Sequence, residues 1–418
     1  MDKLEITGPC RLAGRVDVSG AKNAALPALA ATVLTDEPVR LRHLPEVADI
    51  RTLGKVLGHL GVAIETSAAG ERTLCARDLS ADDAPYELVK TMRASILVLG
   101  PLVARRGHAR VSMPGGCAIG PRPVDLHIAA LKAMGAEIDV EHGDIVARAP
   151  RGLRGAVVYF PQVTVTGTEN ILMAAVLAKG TTEIRNAAEE PEIVDLVILL
   201  RAMGGRIEGE GTRTLRIEGV PRLGGAGHDI LPDRIEAGTW IVAAALAGER
   251  VEIDALRPAD LEAFLAALRS AGVPMEVAGD RIVVSRAEAL APRDVSTAPH
   301  PGFPTDLQAQ YMTLMTQAGG RSRITETIFE NRFQHALELD RMGADIRIEH
   351  QTAVVNGPSR LSGARVMASD LRASAALVLA ALVADGTTTV DRIYHLDRGY
   401  AAMETKLRAL GATVTRVK

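Results

Sequence analysis

The chain has 418 residues, is 47% hydrophobic and 24% charged, and carries a net charge of −3. This length predicts two domains with sizeable cores, and the near-neutral charge gives no support for a nucleic acid or a membrane surface as partner. Three widely spaced cysteines, Cys10, Cys75 and Cys117, form neither a disulfide framework nor a zinc pattern, so a reducing cytoplasm is the expected compartment. No apolar segment follows the charged first residues, so no signal peptide is expected, and the run Ala94–Ala104 is too short to span a bilayer.

Taken in chain order, the elements repeat. A helix is predicted to begin near each of Lys22, Arg93, Glu169, Glu236, Asp306 and Arg372. Each opens on a charged residue where Ser, Thr, Asn or Asp caps are usual. Basic residues at helix starts suit a polyanionic substrate, because free N–H groups and the helix dipole favour anions there. Solvated surface charge fits the same pattern. Downstream of each comes a second helix ending in one phrase: Leu57 to Gly61, Leu131 to Gly135, Leu200 to Gly204, Leu268 to Gly272, Leu339 to Gly343 and Leu407 to Gly411. The phrase recurs roughly every 70 residues, reads as a glycine-capped helix end, and is followed by an alternating strand such as Ala136–Val140.

The repeats fall into two halves. Ile6–Gly14 resembles Val355–Gly363, and Ile217–Gly225 is a looser copy, so the glycine-rich stretch Gly224–Asp233 reads as a crossing between two three-unit domains. The expected division is 22–231 for one domain and 1–21 with 232–418 for the other. The first strand is expected to pack with the second half. Helix-plus-strand units predict an α/β protein, and two lobes predict a cleft, a common place for small-molecule sites.

Met113–His127 stands out for chemistry. Gly115, Gly116 and Gly120 give close backbone access to a ligand, Pro121 and Pro123 restrict the loop, and Val124, Ile128 and Leu131 fall at helical spacing. Cys117 would sit on that loop with Arg122 at its base; a buried structural cysteine beside a surface arginine fits equally. Lys22 and Asn23 follow a glycine at a helix start, and Arg93 repeats the theme. Asp233, Arg234 and Glu236 share a turn and suit a structural ion pair. Asp306 leaves a Pro/Gly loop and fits a helix cap or a general base. Glu326–Phe333 crowds charge around Phe329, and Arg372 and Arg398 add two more cations. The absence of a P-loop, of a Gly-x-Gly-x-x-Gly unit and of a His/Cys cluster signals neither ATP, NAD nor a metal, so no cofactor is expected. Several arginines with one thiol and one carboxylate suit group transfer from a small phosphorylated acid, the carboxylate deprotonating an acceptor hydroxyl and the thiol donating a proton or forming an adduct.

Gly20–Pro27, Gly115–His127, Pro232–Thr239, Pro299–Asp306, Glu330–Phe333, Asp370–Arg372 and Arg398–Tyr400 together resemble the UDP-N-acetylglucosamine 1-carboxyvinyltransferase family along the whole chain. The resemblance implies two inside-out α/β barrels, each of three βαβαββ units. It implies enolpyruvyl transfer from phosphoenolpyruvate to UDP-N-acetylglucosamine, the first committed step of peptidoglycan synthesis, with no nucleic acid and no membrane insertion. Cys117 matches the cysteine that protonates the methylene carbon of phosphoenolpyruvate and can bond to it. Lys22, Arg122 and Arg398 match the groups that hold phosphoenolpyruvate. Asn23 and Asp306 match residues at the sugar, Asp306 deprotonating its 3-hydroxyl. Arg93, then Arg122, Pro123, Val124, Asp125 and Leu126, then Gln162, Val163, Thr164 and Val165, and Ile328 match nucleotide-sugar contacts. Arg332 and Arg372 match arginines that engage as the lobes close. The sequence departs from the commonest family pattern at Thr166, where many members have glycine, and at Gln162, where lysine is frequent, which leaves the contacts of that turn open. Cys117 implies alkylation by an epoxide such as fosfomycin. A sister enzyme using shikimate 3-phosphate would share the fold but lacks the Cys117 loop; a non-enzymatic repeat scaffold would not need that loop, and an RNA-processing relative is disfavoured by the charge. Nothing in the sequence speaks to oligomeric state.

Overall fold

Six Leu-x-x-x-Gly phrases become six copies of one helix ending. The computed structural model describes residues 2–90, 92–113 and 124–418. In each copy the glycine lies in the left-handed region, with φ between 88° and 102°. Its N–H reaches the carbonyl three residues back, and the next N–H reaches the leucine carbonyl five residues back: Val62 to Leu57, Ala136 to Leu131, Gly205 to Leu200, Val273 to Leu268, Ala344 to Leu339 and Ala412 to Leu407. This pair of bonds satisfies carbonyls that a helix end otherwise leaves open. The six leucines are fully buried, each stabilising by about 2 kcal/mol. One short phrase therefore terminates the helix, anchors it and turns the chain into the following strand.

The chain divides into two compact units, residues 2–19 with 232–418, and the described residues of 20–231. In the first, the helices Arg234–Ala247, Gln308–Met315 and Leu371–Ala381 pack on one another and are buried on nearly every face. In the second, Lys22–Ala31 and Leu99–Arg106 each pack on Val165–Ala175, with Lys22–Ala31 and Val165–Ala175 buried nearly throughout and Leu99–Arg106 buried over Leu99–Val103. Helices apolar all round belong in a core. The glycine-ended helices, such as Ala48–His59 and Glu262–Ser270, bury one stripe and face solvent with the other.

Among the described residues every sheet has four strands and the same order, an edge strand parallel to its neighbour and then two antiparallel partners, and three such sheets belong to each unit. The first strand, Lys3–Gly8, lies between Gly386–Asp391 and Thr413–Val417, and Leu12–Asp17 runs parallel to Gly248–Asp254. Leu4 and Ile6 are buried while Glu5 and Thr7 face out, the alternation of a half-covered sheet. Among the described residues no helix is long and apolar enough to cross a membrane.

The expected run of charged helix openings needs correction. Lys22 does open its helix, but Thr164, Asp233 and Asp370 are side-chain caps of three others, each accepting backbone N–H bonds. Glu169 is in a helix interior and 2% exposed. Arg93 and Asp306 stand in short 3₁₀ segments ahead of their helices. Three central helices thus have conventional side-chain caps, and charge near the starts needs its own explanation.

Gly204→Ala should destabilise the protein by about 1–2 kcal/mol, since its Cβ meets nothing within 4 Å and only the left-handed backbone penalises it. Gly100→Ala should cost more, because a Cβ there would stand 2.2 Å from Asn170 Oδ1 and 2.4 Å from its carbonyl oxygen. Urea midpoints of the two variants check the order.

Candidate active site

In the first unit Asp306 sits in the turn Thr305–Leu307, just before Gln308–Met315, and makes no cap bond to that helix. Its carboxylate instead joins two arginines brought from far along the chain. Arg332 Nη2 donates to Oδ1 at 2.6 Å and Arg372 Nη2 to Oδ2 at 2.9 Å. The Asp306 side chain is 27% exposed, whereas those of Arg332 and Arg372 are 5% and 4% exposed. Arg332 lies over the Phe329 ring and Arg372 over the Tyr400 ring, with guanidinium carbons 5.1 and 5.6 Å from the centroids. Each cation therefore has an aromatic floor and a carboxylate partner.

A second layer fixes those groups. Arg332 Nη1 donates to Thr305 Oγ1 at 2.8 Å, and Thr305 donates to Glu326 Oε2 at 2.8 Å. The other Glu326 oxygen accepts from Thr297 Oγ1 and from the N–H groups of Ile328 and Phe329. Thr239 spends its hydroxyl proton on Ile235 O, so Tyr400 donates to Thr239, and Gln310 donates to both hydroxyls. Glu326 was not among the expected site residues; its only signal is that it opens the charged stretch around Phe329.

Electrostatics follow from this packing. Burial opposes the charge on Asp306, but the Arg372 and Arg332 guanidiniums outweigh it and hold the carboxyl well below the usual carboxylate range. Burial likewise opposes the charge on Arg372, and Asp306 more than restores it. Asp306 was expected as a cap or a general base. It makes no cap bond, and in this arrangement it is the counter-ion of two buried cations.

The second unit holds most of the other described candidates. Lys22 is buried, its Nζ 3.4 Å from Asp49 Oδ2, and half-buried Asn23 follows it on the same helix. Arg93 begins the 3₁₀ segment Arg93–Val98. Val124, Asp125 and Leu126 lie at the start of Asp125–Ala133. Gln162 is exposed, and Val163 and Thr164 lead into Val165–Ala175, with Thr164 Oγ1 accepting from Gly167 N. Arg398, in the first unit, ends Ile393–Arg398. Cys117, Arg122 and Pro123 lie outside the described residues.

His127 joins three of these segments. Asn170 Nδ2 donates to His127 Nδ1 at 3.0 Å and to Ile96 O, so the ring proton is on Nε2, which lies 3.3 Å from Thr166 Oγ1. Thr166, the unusual residue of its turn, is thereby tied to the helix that begins Asp125-Leu126-His127. Burial first, and the Arg93 charge second, push the imidazole down to about 4, against a smaller opposite effect of Asp125. Deeper in the unit, Glu169 is pushed well above the carboxylate range by burial and by Glu192 and Glu190.

Because folded His127 resists protonation until about pH 4 while an unfolded histidine takes a proton near 6.5, its contribution to stability is complete above that upper value and lost as pH falls between the two. The full loss is on the order of 3 kcal/mol. Imidazole NMR should find His127 neutral at pH 5; a midpoint above 6 would contradict this packing.

Comparison with known proteins agrees with the geometry. Residues 6–407 match the family described as EPSP synthase (3-phosphoshikimate 1-carboxyvinyltransferase). Relatives named UDP-N-acetylglucosamine 1-carboxyvinyltransferase include those of Koribacter versatilis, 57% identical over 100% of this chain and 97% of that one, and Caulobacter vibrioides, 55% identical over 100% and 98%. Among solved structures, the enolpyruvyl transferase NikO from Streptomyces tendae superposes with a TM-score of 0.90 at 27% identity, covering 100% of this chain and 99% of that one. EPSP synthase from Acinetobacter baumannii shares the fold, with a TM-score of 0.77 at 18% identity and full coverage of both chains. The α/β architecture of six like sheets is thus that of the enolpyruvyl transferases, and the chain belongs to the UDP-N-acetylglucosamine 1-carboxyvinyltransferase family.

Proposed function

We propose that this protein transfers the enolpyruvyl group of phosphoenolpyruvate to the 3-hydroxyl of UDP-N-acetylglucosamine and releases phosphate. The observation that carries this reading is the 57% identity, over the whole chain, with a relative bearing that activity's name. The carboxylate between two buried arginines supports it, because the reaction needs a proton acceptor and cations for an anionic substrate. The cellular role that follows is the first committed step of peptidoglycan synthesis, in the cytoplasm, and through it cell shape and division.

The chemistry is addition followed by elimination. The 3-hydroxyl oxygen bonds to C2 of phosphoenolpyruvate as its proton passes to Asp306, and the Cys117 thiol gives a proton to C3, making a methyl group on a tetrahedral phosphate ketal. The C2–O bond to phosphate then breaks, the phosphate leaving with the electron pair, and a methyl proton returns to the Cys117 thiolate as the C2–C3 double bond is restored. Lys22, Arg122 and Arg398 hold the phosphorylated acid and stabilise charge on its leaving group. Asn23 and Asp306 serve the sugar. Arg93, Arg122 to Leu126, Gln162 to Val165, and Ile328 serve the nucleotide sugar, while Arg332 and Arg372 complete the anion site. Loss of the usual lysine at Gln162 takes a cation from the nucleotide end, and the Thr166–His127 contact adds a neutral tie nearby.

Phosphate release from phosphoenolpyruvate should require UDP-N-acetylglucosamine, should not occur with shikimate 3-phosphate, and should be abolished after Cys117 is alkylated with fosfomycin. Release with shikimate 3-phosphate alone would transfer the protein to the sister reaction. Cys117→Ser should cut turnover by about 100-fold or more, as expected for loss of a positioned acid.

A further inference from the structure

The side-chain amide of Asn170 ties together three segments just assigned to the nucleotide sugar, and this inference rests on that assignment. Asn170 is fully buried in Val165–Ala175. Its Oδ1 accepts from Gly100 N at 2.6 Å, which identifies the oxygen and leaves Nδ2 as the donor end. One Nδ2 proton goes to Ile96 O at 2.8 Å and the other to His127 Nδ1 at 3.0 Å. Ile96 lies in the segment that Arg93 opens, and His127 in the first turn of the helix that Asp125 and Leu126 begin. Asn170 itself belongs to the helix that Gln162–Thr164 lead into. One buried amide therefore sets how these three chain segments lie against one another.

The bonds also have a direction. Both Asn170 protons are spent, and His127 Nδ1 receives one of them. The neutral imidazole then carries its proton on Nε2 and donates it to Thr166 Oγ1 at 3.3 Å. His127 is 3% exposed, whereas Thr166 is exposed, as is Gln162 one helical turn earlier. Thr166 Oγ1 thus accepts from inside the protein and keeps its own proton for the outside. Among the described residues that proton has no acceptor. The charged groups that act on the ring are Arg93 and Asp125.

We infer that Asn170 and His127 are positioning residues for acceptor binding, and that their relay aims the Thr166 hydroxyl proton at a phosphate oxygen of the nucleotide sugar. A hydroxyl that donates to an anionic oxygen makes a charge-assisted bond, stronger than one between neutral groups. Thr166 then supplies a donor at the end of the site where Gln162 brings no cation. That donor is set by the tautomer of a buried ring rather than by a mobile ammonium. Reversing the ring reverses the relay. With its proton on Nδ1, His127 would present an acceptor at Nε2, draw the Thr166 proton inward and leave the phosphate facing lone pairs.

Nitrogen NMR of histidine-labelled full-length protein at neutral pH reads the tautomer, with His127 assigned by its loss in His127→Gln, and calorimetry with UDP-N-acetylglucosamine reads binding. In the unaltered protein the ring should be protonated on Nε2 alone. Thr166→Val, which keeps the shape and loses the hydroxyl, should weaken binding by about tenfold or more with the thermal midpoint unchanged, and Thr166→Ser should restore most of it. In turnover the loss should fall on KM for the nucleotide sugar and spare KM for phosphoenolpyruvate. Asn170→Asp keeps an acceptor for Gly100 N but gives His127 no donor, so the ring proton should move to Nδ1 and binding should fall as in Thr166→Val. Should that variant fail to fold, the tautomer of the unaltered protein and the two Thr166 variants carry the test. A proton on Nδ1 in the unaltered protein, or binding by Thr166→Val within about twofold of normal, would overturn the relay and leave the assigned reaction standing. No binding of UDP-N-acetylglucosamine to the unaltered protein would instead overturn the assigned acceptor, and this role with it.

Discussion

The ion pair of Asp306 with Arg332 and Arg372 is the constraint on which the candidate site depends. Two nearly buried guanidiniums are costly unless a carboxylate answers them, so the three side chains form a single electrostatic unit. Its members come from the turn before one central helix, from the loop after a strand, and from the first turn of another central helix. All three elements belong to the same compact unit, which brings these distant residues together. The cap at Asp370 serves this directly: by accepting the N–H groups of Arg372 and Ala373 it sets the helix turn that aims Arg372.

Much of the fold was legible because its signals are local. The Leu-x-x-x-Gly phrase needs only six consecutive residues to specify a buried anchor, a left-handed turn and a returning bond, and all six copies adopt it. The similarity of Ile6–Gly14 to a later stretch pointed to a shared partner, and Lys3–Gly8 does lie between two strands of the last repeat. The helix starts were less legible. Apolar bodies were visible, but a charged residue near a start does not say whether it opens the helix, precedes it or lies inside it. Thr164, Asp233 and Asp370 are the caps, whereas Glu169 is interior and protonation-prone through burial and its neighbours Glu192 and Glu190.

The site divides along the same line. Asp306, Arg332 and Arg372 could each be picked out from a motif, but their pairing spans dozens of residues and no spacing rule announces it. The electrostatic consequence was therefore invisible: the residue read as a general base is paired with two buried arginines that hold its carboxyl well below the usual range. Glu326 and His127 were missed as organisers because their roles lie in what they hold in place, Thr305 and two backbone N–H groups for one, Asn170 and Thr166 for the other. Thr166, noticed only as a departure from a common pattern, acquires a partner that a glycine would not provide.

The most direct test of the account is the turnover of Asp306→Asn set beside its binding. Asparagine keeps the shape of the side chain and one acceptor oxygen but has no affinity for the acceptor's proton. Calorimetry should find UDP-N-acetylglucosamine still bound, while phosphate release falls by about 100- to 10,000-fold, the range expected for losing a positioned base. Turnover within about tenfold of the unaltered protein would remove Asp306 from proton transfer and leave its pairing with the arginines a matter of structure alone.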